Sequence, residues 1–513
     1  MSPNEHKHGD DGAHSNGAPR NRAGTARRGD GSRDDGSRDK HQRAGRRDAH
    51  PTRALHRQAT ARTVAYDVLA AVRDSEAYAN LLLPTRIERA GLDTADAALA
   101  TELTYGTLRM RGYYDRVIAA AARREVDAID PPILDVLRLC THQLLAMRIP
   151  SHAAVNEMVS IARTVGSRSA TGFTNGVLRT IARTGPDTWR ARIESAAADE
   201  DARLSAMYSH PVWIVRALRH ALNAEHRGHE LEALLSADNA APRVNFVALP
   251  GVAEPPAAAE LDRFSPLGFT LPGRDPLAVL RGADGALRAQ DEGSQLAALA
   301  LVSARPTAAG ERWLDLCAGP GGKAALLGAA ARSAGARLTA NELVPARVEL
   351  VRAAVAPVAD AVDVVQGDGV LFGERHPGEF DRVLLDAPCT GLGALRRRPE
   401  ARWRKTPRDV AELARLQANL LDSAVTALKP GGILCYVTCS PHLAETRVAV
   451  ADVLKRHPDE LTELSAPDAL RAATRAELEL AGDPAQVQLW PHRHSTDAMF
   501  VALLGKVQSE QPG

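Results

Sequence analysis

The spacing of apolar residues divides the chain into a helical half and a half in which strands alternate with helices. Between residues 60 and about 183, apolar side chains recur every three or four positions, as in the series Val64, Val68 and Val72. This is the period of one face of an α-helix. Residues 187–235 continue the helical period. The pattern predicts an all-α domain followed by a helical connection.

Short strands are predicted after the helical half. Residues 243–249 and 268–271 have the alternation of strands, and we expect them to form a small α+β subdomain. From about Gln290 onward, strand-like and helix-like runs alternate, which is typical of an open sheet with helices on both faces. The predicted division is a disordered tail over residues 1–55, an all-α domain over 56–185, a helical linker with a small α+β subdomain over 186–285, and an α/β domain over 286–507.

The composition excludes membrane-spanning and disulfide-rich classes of protein. With 44% hydrophobic and 25% charged residues, the chain has the balance of a soluble globular protein, and no run approaches the roughly 20 apolar residues that span a bilayer. Residues 1–54 contain almost no large apolar side chains, which predicts the disordered tail. The five cysteines include no CxxC pair, which argues against a disulfide framework and a zinc site and predicts the reducing cytoplasm.

A cluster of arginines is the candidate for contact with RNA. Because the net charge is only +1, no overall field attracts nucleic acid, and local clusters must do so. The cluster contains Arg396, Arg397, Arg398, Arg402 and Arg404, with Trp403 among them. We predict a surface that binds phosphates and stacks bases. The alternative is a solvated loop.

A glycine-rich turn between a strand and a helix predicts a cofactor site. Residues 313–317 have the pattern of a buried strand, and Ala318-Gly-Pro-Gly-Gly-Lys323 and an Ala/Leu-rich helix follow. Glycines let the backbone approach a ligand closely, and a helix N-terminus favours anionic groups. Ala324 stands where a P-loop needs Ser or Thr and where a dinucleotide motif places its last Gly, so neither motif fits.

Acidic residues at the ends of the next two predicted strands extend this site. Glu342 ends the strand after the glycine turn, where a carboxylate can accept both hydroxyls of a ribose. Asp368 follows the third strand and can reach an adenine amino group across the same crevice. Each residue alone is better explained as a turn carboxylate. Together they favour a nucleoside cofactor.

Two cysteines follow the next two predicted strands. Cys389 comes after the strand that ends at Asp386, and Cys439 comes after residues 432–438. If these strands are neighbours, both thiols lie at the active-site edge of the sheet, because paired strands are about 4.8 Å apart. The pair suits covalent catalysis better than metal binding, and a redox pair is the alternative. A thiolate that adds to C6 of a pyrimidine would activate C5 toward an electrophilic methyl group, with Asp386 hydrogen-bonded to the base.

These motifs in combination resemble the RNA cytosine-C5 methyltransferases of the Sun/NSUN superfamily, which use S-adenosylmethionine. The resemblance rests on Asp315-Leu-Cys-Ala-Gly-Pro-Gly-Gly-Lys323, Asp386-Ala-Pro-Cys-Thr-Gly391 and Thr438-Cys-Ser440. In the helical half, Thr101-Glu-Leu-Thr-Tyr-Gly-Thr-Leu-Arg109 and Phe173-Thr-Asn-Gly-Val-Leu-Arg179 are similar to the NusB-like RNA-binding domain of the bacterial 16S rRNA (cytosine-C5) methyltransferases, the small-subunit methyltransferase B family. The resemblance covers about residues 60–505 and implies a Rossmann-like methyltransferase domain.

The resemblance implies a role for each cysteine. Cys439 would attack C6 and Cys389 would assist release of the methylated base, whereas DNA cytosine methyltransferases use the Pro-Cys thiol as the nucleophile. Asp386 would line the base pocket, with Lys323 at its edge. Cys317 also has the pattern of a core residue. The implied cofactor residues are Cys317, Ala318, Gly319, Pro320, Gly321, Gly322, Lys323, Glu342, Arg347, Asp368 and Asp386.

The sequence departs from the family pattern at two places. Glu342 replaces the more usual Asp, which keeps both acceptor oxygens on a longer arm. After the expected nucleophile, Pro441-His-Leu-Ala-Glu-Thr446 replaces a Glu-Glu-Asn ending. We expect Glu445 to be the surviving carboxylate of that ending.

The predicted function is S-adenosylmethionine-dependent methylation of C5 of a cytosine in 16S rRNA, free or partly assembled. The predicted enzyme is a cytoplasmic monomer without a metal or a membrane partner. A tRNA cytosine-C5 methyltransferase is the alternative within the enzyme class, and the NusB-like domain favours rRNA. A non-catalytic RNA-binding assembly or antitermination factor is the alternative outside that class. The thiol pair, Asp386 and the glycine loop weigh against it.

Overall fold

The computed structural model describes residues 59–75, 77–483 and 485–508. The predicted disordered tail over residues 1–55 lies outside the described residues. Within the described ranges, no helix combines the length and the apolar character needed to cross a membrane.

The first part of the described chain is helical, as the apolar period predicted. Thr60 begins the first helix with a capping box, and Val64, Val68 and Val72 form its buried face. Cys140, in a later helix, is fully buried. The helices are α1 (Ala61–Asp74), α2 (Ala79–Ala90), α3 (Thr94–Arg109), α4 (Arg111–Ala122), α5 (Pro131–Leu145), α6 (Ser151–Val165), α7 (Arg168–Thr184), α8 (Pro186–Ser195), α9 (Glu200–Tyr208), α10 (Val212–Asn223) and α11 (Leu231–Asn239).

A small antiparallel sheet follows the helices, as predicted for the α+β segment. Its strands are β1 (Asn245–Ala248), β2 (Glu260–Leu261), β3 (Gly268–Thr270) and β4 (Leu287–Ala289), with α12 (Pro276–Arg281) between β3 and β4. The strand order is β2-β3-β1-β4. Phe246 of β1 stacks on Phe269 of β3 with ring centroids 5.5 Å apart, so an aromatic pair holds the two central strands together.

The second half of the chain forms a mostly parallel sheet covered by helices. Its strands are β5 (Arg312–Asp315), β6 (Arg337–Glu342), β7 (Val362–Gln366), β8 (Phe380–Asp386), β9 (Leu428–Thr438), β10 (Leu461–Leu464), β11 (Val487–Gln488) and β12 (Phe500–Lys506). Its helices are α13 (Glu292–Ser303), α14 (Gly322–Ala334), α15 (Pro345–Val355), α16 (Gly369–Arg375), α17 (Ala401–Arg404), α18 (Pro407–Ala427), α19 (Arg447–Arg456), α20 (Ala466–Ala473) and α21 (Pro491–His494).

The topology of this sheet places five loops at one edge. The order is β10-β12-β9-β8-β5-β6-β7, with β11 paired to β12, and the strands from β9 to β7 are parallel. Along β8, Leu384 faces one apolar core while Val383 and Leu385 face the other, as expected for a sheet buried on both faces. The carboxyl ends of the parallel strands therefore share the edge where open α/β sheets bind ligands.

The predicted basic surface after β8 is mostly buried, so that prediction was wrong. Arg396 pairs with Asp291 and Asp497, at N–O distances of 3.0 and 2.9 Å. Arg397 pairs with the same two carboxylates, while Arg398 is exposed. The sequence displays the charge of each arginine, but the partners lie about 100 positions away along the chain, beyond the reach of a local pattern.

Arg402 holds the helical half against the loop that follows β8. Its side chain is fully buried and donates to the carbonyl oxygens of Arg109, Ser209 and Asp238 at 3.0, 3.2 and 2.7 Å. It also donates to Oδ1 of Asn239 at 2.7 Å. A planar guanidinium carries five donors, so one side chain can satisfy several acceptors that would otherwise be buried without a partner. Arg402 thus joins segments that are far apart in the chain.

We expect Arg402→Met to lower the free energy of unfolding by at least about 3 kcal/mol, because several buried acceptors would lose their donor. Urea unfolding followed by circular dichroism measures this loss. Arg408→Met is the control, since Arg408 lies exposed on α18 and pairs with Glu412, and its change should stay below about 0.5 kcal/mol. Equal stability of Arg402→Met and wild type would contradict the assigned role.

Candidate active site

The pairing of β8 with β9 brings two free thiols together. Asp386 of β8 lies opposite Val437 of β9, so the chain reaches Cys389 and Cys439 shortly after two neighbouring strand ends. Their Sγ atoms are 3.4 Å apart and form a hydrogen bond, and both cysteines are free. The predicted neighbourhood of the two thiols is therefore confirmed, while their roles in a reaction stay predictions.

The shared hydrogen bond makes the two thiols unequal. Donation from Cys389 lowers the pKa of Cys439, although burial and the Asp386 carboxylate oppose this, and the charges of Lys323 and Arg398 lower it further. The same hydrogen bond, together with burial, raises the pKa of Cys389 well above its ordinary value. The nearby charges of Lys323 and Arg398 on Cys439, and of Glu445 on Cys389, therefore favour the thiolate at Cys439 and the thiol at Cys389.

Lys323 is bound to Asp386, a residue predicted to line the base pocket. Its Nζ donates to Oδ2 of Asp386 at 2.8 Å. Burial favours the neutral amine, but the charge and the hydrogen bond of Asp386 outweigh this effect and raise the pKa of Lys323. The side chain reaches the strand ends because residues in the first turn of a helix point back toward its N-terminus. Lys323 is therefore a fixed positive charge near Cys439.

Asp315, to which the sequence analysis gave no separate role, is the second carboxyl group of this centre. It ends β5, it is buried, and its Oδ1 has no hydrogen-bond partner. Burial raises the pKa of Asp315 to about 8, and the charge of Asp386 adds to the effect. The group is therefore neutral at pH 7. Its position directly before the glycine loop was the available sequence signal.

The glycine loop and the end of β6 form a cradle for a polar ligand. Glu342 is buried; its Oε2 accepts from the amide of Gly319 and its Oε1 from the amide of Val344, both at 3.0 Å. A Cβ at Gly319 would overlap this carboxylate, and Gly321 has a φ of 102°, which favours glycine. Arg347 donates to the Gly319 carbonyl. Glycine is thus needed here for close approach.

The remaining predicted cofactor residues lie around this cradle. Ala318 and Pro320 form the turn with Gly319, and the Gly319–Pro320 bond is cis. Asp368 begins α16 and its Oδ1 accepts from the amide of Val370 at 2.9 Å. Cys317 is partly buried against the apolar core, in keeping with its pattern as a core residue.

The hydrogen-bond acceptors of the cradle fit S-adenosylmethionine. Each oxygen of Glu342 uses one backbone amide and keeps a further lone pair for a ribose hydroxyl. Asp368 stands at the end of the next strand, β7, where a carboxylate can meet an adenine amino group. Across residues 59–75, 77–483 and 485–508, no cluster of three or more metal-binding side chains occurs.

Glu445 lies beneath both cysteine loops. Its side chain is fully buried and accepts hydrogen bonds from Thr390 and Ser440. These residues directly follow Cys389 and Cys439 in the chain. Glu445, the carboxylate expected to survive in the segment after Cys439, therefore contacts both cysteine loops.

Comparison with known families gives two matches in separate parts of the chain. Residues 304–505 match the family described as 16S rRNA methyltransferase RsmB/F. Residues 59–183 match the NusB family. The two matches fall on the mostly parallel sheet and on the first helices, respectively.

Several curated proteins are similar to almost the whole described chain. A Mycobacterium tuberculosis protein named as a methyltransferase, Rv1407, is 47% identical over 457 residues, 87% of this chain and 96% of its own length. A Bacillus subtilis protein named as a ribosomal RNA small subunit methyltransferase B is 30% identical over 469 residues, 88% of this chain and 99% of its own. Ribosomal RNA small subunit methyltransferase B of Salmonella paratyphi B is 31% identical over 424 residues, 77% and 90% of the two chains.

A solved structure shares the fold. The crystal structure of PH0851 covers 86% of this chain and 97% of its own, with a TM-score of 0.70 and 21% sequence identity. The arrangement of a helical part before a mostly parallel sheet is therefore found in an experimental structure.

Asp315 predicts a dependence of stability on pH. An acid whose pKa is about 8 in the folded state and ordinary in the unfolded state takes up a proton on folding at pH values between the two. The contribution of Asp315 to the free energy of unfolding is fully present below about pH 4 and is lost as the pH rises toward 8. Asp315→Asn mimics the neutral acid at every pH. We expect its free energy of unfolding, relative to that of wild type, to rise by at least about 1 kcal/mol between pH 5 and pH 8.

Urea unfolding at the two pH values measures this difference. Asp363→Asn is the control, since Asp363 is exposed and pairs with Arg337, and it should follow wild type. Parallel pH profiles for Asp315→Asn and wild type would contradict the neutral state of Asp315.

Proposed function

Because the chain belongs to the 16S rRNA methyltransferase RsmB/F family and is an S-adenosylmethionine-dependent RNA methyltransferase, we propose that it methylates C5 of a cytosine in 16S rRNA. We further propose that the reaction passes through a covalent bond between Cys439 and C6 of the base. The observation that carries this proposal is the pair of unequal thiols 3.4 Å apart, beside Asp386 and Lys323.

The order of the two cysteines in the reaction follows from their acidity. Since the pKa of Cys439 is lowered and that of Cys389 is raised, Cys439 is the better nucleophile near neutral pH. Cys389 keeps its proton during the attack and then assists release of the product. This supports the order of the RNA enzymes rather than that of the DNA enzymes.

Each group of the centre has a proposed task in the reaction. The Cys439 thiolate would add to C6, and the Asp386 carboxylate would accept a hydrogen bond from the amino group of the cytosine and so orient the base. When bound, S-adenosylmethionine supplies an electrophilic methyl group. After C5 is methylated, the C5 proton would pass to a water molecule, its electron pair would form the C5–C6 double bond, and the Sγ–C6 bond would break, so that Cys439 leaves as a thiolate and the aromatic ring is restored. Lys323 stabilises the negative charge of Asp386 and Cys439 throughout.

The proposed cofactor contacts follow the cradle. Glu342 would accept the ribose hydroxyls, Asp368 would accept from the adenine amino group, and the backbone of the glycine loop would approach the cofactor. Arg347 would fix the loop through the Gly319 carbonyl. The other predicted loop residues would shape the pocket around it.

We propose a separate task for each predicted segment of the chain. Residues 56–185 would be the NusB-like domain that binds RNA, 186–285 the linker and small subdomain, and 286–507 the methyltransferase domain. The target base must leave its stack to reach the thiols, which costs a few kcal/mol. We therefore propose free or partly assembled 16S rRNA as the substrate of a cytoplasmic, monomeric enzyme.

Methyl transfer with the two cysteine variants tests the proposal. Tritium from labelled S-adenosylmethionine should enter unmodified 16S rRNA with wild type, and nuclease digestion should recover it in 5-methylcytidine. Cys439→Ala should lower the rate by at least about 1000-fold, because the covalent path is closed. Cys389→Ala should accumulate a protein–RNA adduct that survives denaturing electrophoresis.

Cys140→Ala is the matched control, because Cys140 is buried in α5, in the helical core. It should retain transfer and form no adduct. Transfer to tRNA instead of 16S rRNA would contradict the substrate, and label in another position of the base would contradict the reaction. An adduct in Cys439→Ala would reverse the two cysteines, and binding without transfer to any RNA would favour the non-catalytic alternative.

A further inference from the structure

One buried carboxylate receives hydrogen bonds from both cysteine loops. Oε2 of Glu445 accepts from the hydroxyl of Thr390 at 2.5 Å and from the hydroxyl of Ser440 at 2.6 Å. Its Oε1 accepts from the backbone amide of Thr390 at 2.8 Å. One donor residue belongs to the loop after β8 and the other to the loop after β9. The two loops are thus joined through a single side chain.

The carboxylate is itself held from two sides. The Tyr436 hydroxyl donates to the backbone oxygen of Glu445 at 2.9 Å. Gln417 of α18 donates to Oε1 of Glu445 at 3.3 Å and to the Pro388 carbonyl at 2.8 Å. The position of Glu445 is therefore fixed by a strand and by a helix, in addition to its bonds with the two loops.

The energetics make this arrangement hard to change. A carboxylate that is fully buried must keep its donors, because an unpartnered buried charge costs several kcal/mol. If either loop moved away, Glu445 would lose the hydroxyl of Thr390 or of Ser440. Gly393 also ties the loops, since its amide donates to the Cys439 carbonyl at 2.8 Å. The spacing of the thiols is thus restrained on the buried side.

The negative charge of Glu445 also affects the acidity of the thiols. It contributes to the raised pKa of Cys389, after the hydrogen bond to Cys439 and burial. The groups that act on Cys439 are Cys389, Asp386, Lys323 and Arg398. Glu445 therefore helps to keep the proton on Cys389 rather than on Cys439.

We propose that Glu445 is a positioning residue that sets the distance between the Cys389 and Cys439 thiols and keeps Cys389 in the role of hydrogen-bond donor. Its effect on methyl transfer rests on the function proposed above. Its effect on the thiols does not, because thiol reactivity can be measured without RNA and without S-adenosylmethionine.

Two thiol reactions test the proposal in the full-length protein. Diamide oxidises two thiols to a disulfide and is itself reduced to the hydrazine, so the rate of the Cys389–Cys439 disulfide reports the distance between the thiols. Alkylation of Cys439 by iodoacetamide, followed site by site with mass spectrometry over pH 6–10, reports its acidity. In Glu445→Gln, one donor must lose its acceptor oxygen. We expect disulfide formation to slow by at least 10-fold and the alkylation midpoint of Cys439 to move to higher pH.

A second pair of variants keeps the test valid if Glu445→Gln does not fold. Thr390→Val removes one hydroxyl donor without changing the carboxylate, and Thr390→Ser keeps the donor. Thr390→Val should shift both thiol readouts, and Thr390→Ser should behave as wild type. Glu311→Gln is the matched control, since Glu311 is also a buried carboxylate, bonded to Trp313 and Arg382, and it directly precedes β5, at the end of the sheet opposite the thiols. It should leave both readouts unchanged.

The outcomes separate this inference from the proposed function. Wild-type disulfide and alkylation rates in both Glu445→Gln and Thr390→Val would overturn the positioning role. Shifted thiol readouts together with a wild type that methylates no RNA would support the positioning role and contradict only the proposed function. If wild type is active, Glu445→Gln should lose about 100-fold in transfer, the size expected for a displacement of about 1 Å in an active site.

Discussion

The parallel pairing of β8 with β9 determines where the chemistry of this protein can occur. The amide of Ala387 still donates to the carbonyl of Val437 at 2.9 Å, so the two chains stay paired past Asp386. The segments after β8 and β9 then separate within a few residues, and they carry Cys389 and Cys439, respectively. A register shift by one residue would turn the side chains of one strand to the opposite face. The short distance between Cys389 and Cys439 therefore depends on the backbone register of two strands.

Buried polar side chains join many parts of the fold that are distant in sequence. Arg382 is fully buried in β8 and pairs with Glu311 at 2.8 Å. Arg402 bonds carbonyl groups of the helical half, and Glu445 joins the loops of the site. In each case one long side chain satisfies several buried groups, which fixes geometry more narrowly than apolar contact does.

The sequence was sufficient for the order of elements and for the residues at the strand ends, because both follow from local periodicity and from the rule that parallel strands share a carboxyl edge. It was insufficient wherever a charged residue meets a distant partner. Arg396 and Arg402 have the same local pattern as exposed arginines, yet both are buried. Lys323 was expected at the edge of the pocket, and its partner Asp386 is 63 residues away. The protonation of Asp315 likewise depends on burial, which only the folded chain creates.

The distribution of protons in the centre follows from these burials. If Asp315 were ionised, two carboxylates would face the single charge of Lys323, and a thiolate at Cys439 would be a third negative charge. Because burial and Asp386 raise the pKa of Asp315 to about 8, that carboxyl stays neutral at pH 7, and Lys323 is shared by Asp386 and Cys439. Cys389, whose raised pKa also reflects Glu445, donates the remaining hydrogen bond. The ionisation of one thiol at pH 7 thus depends on a carboxyl group at the end of β5 that is neutral at this pH.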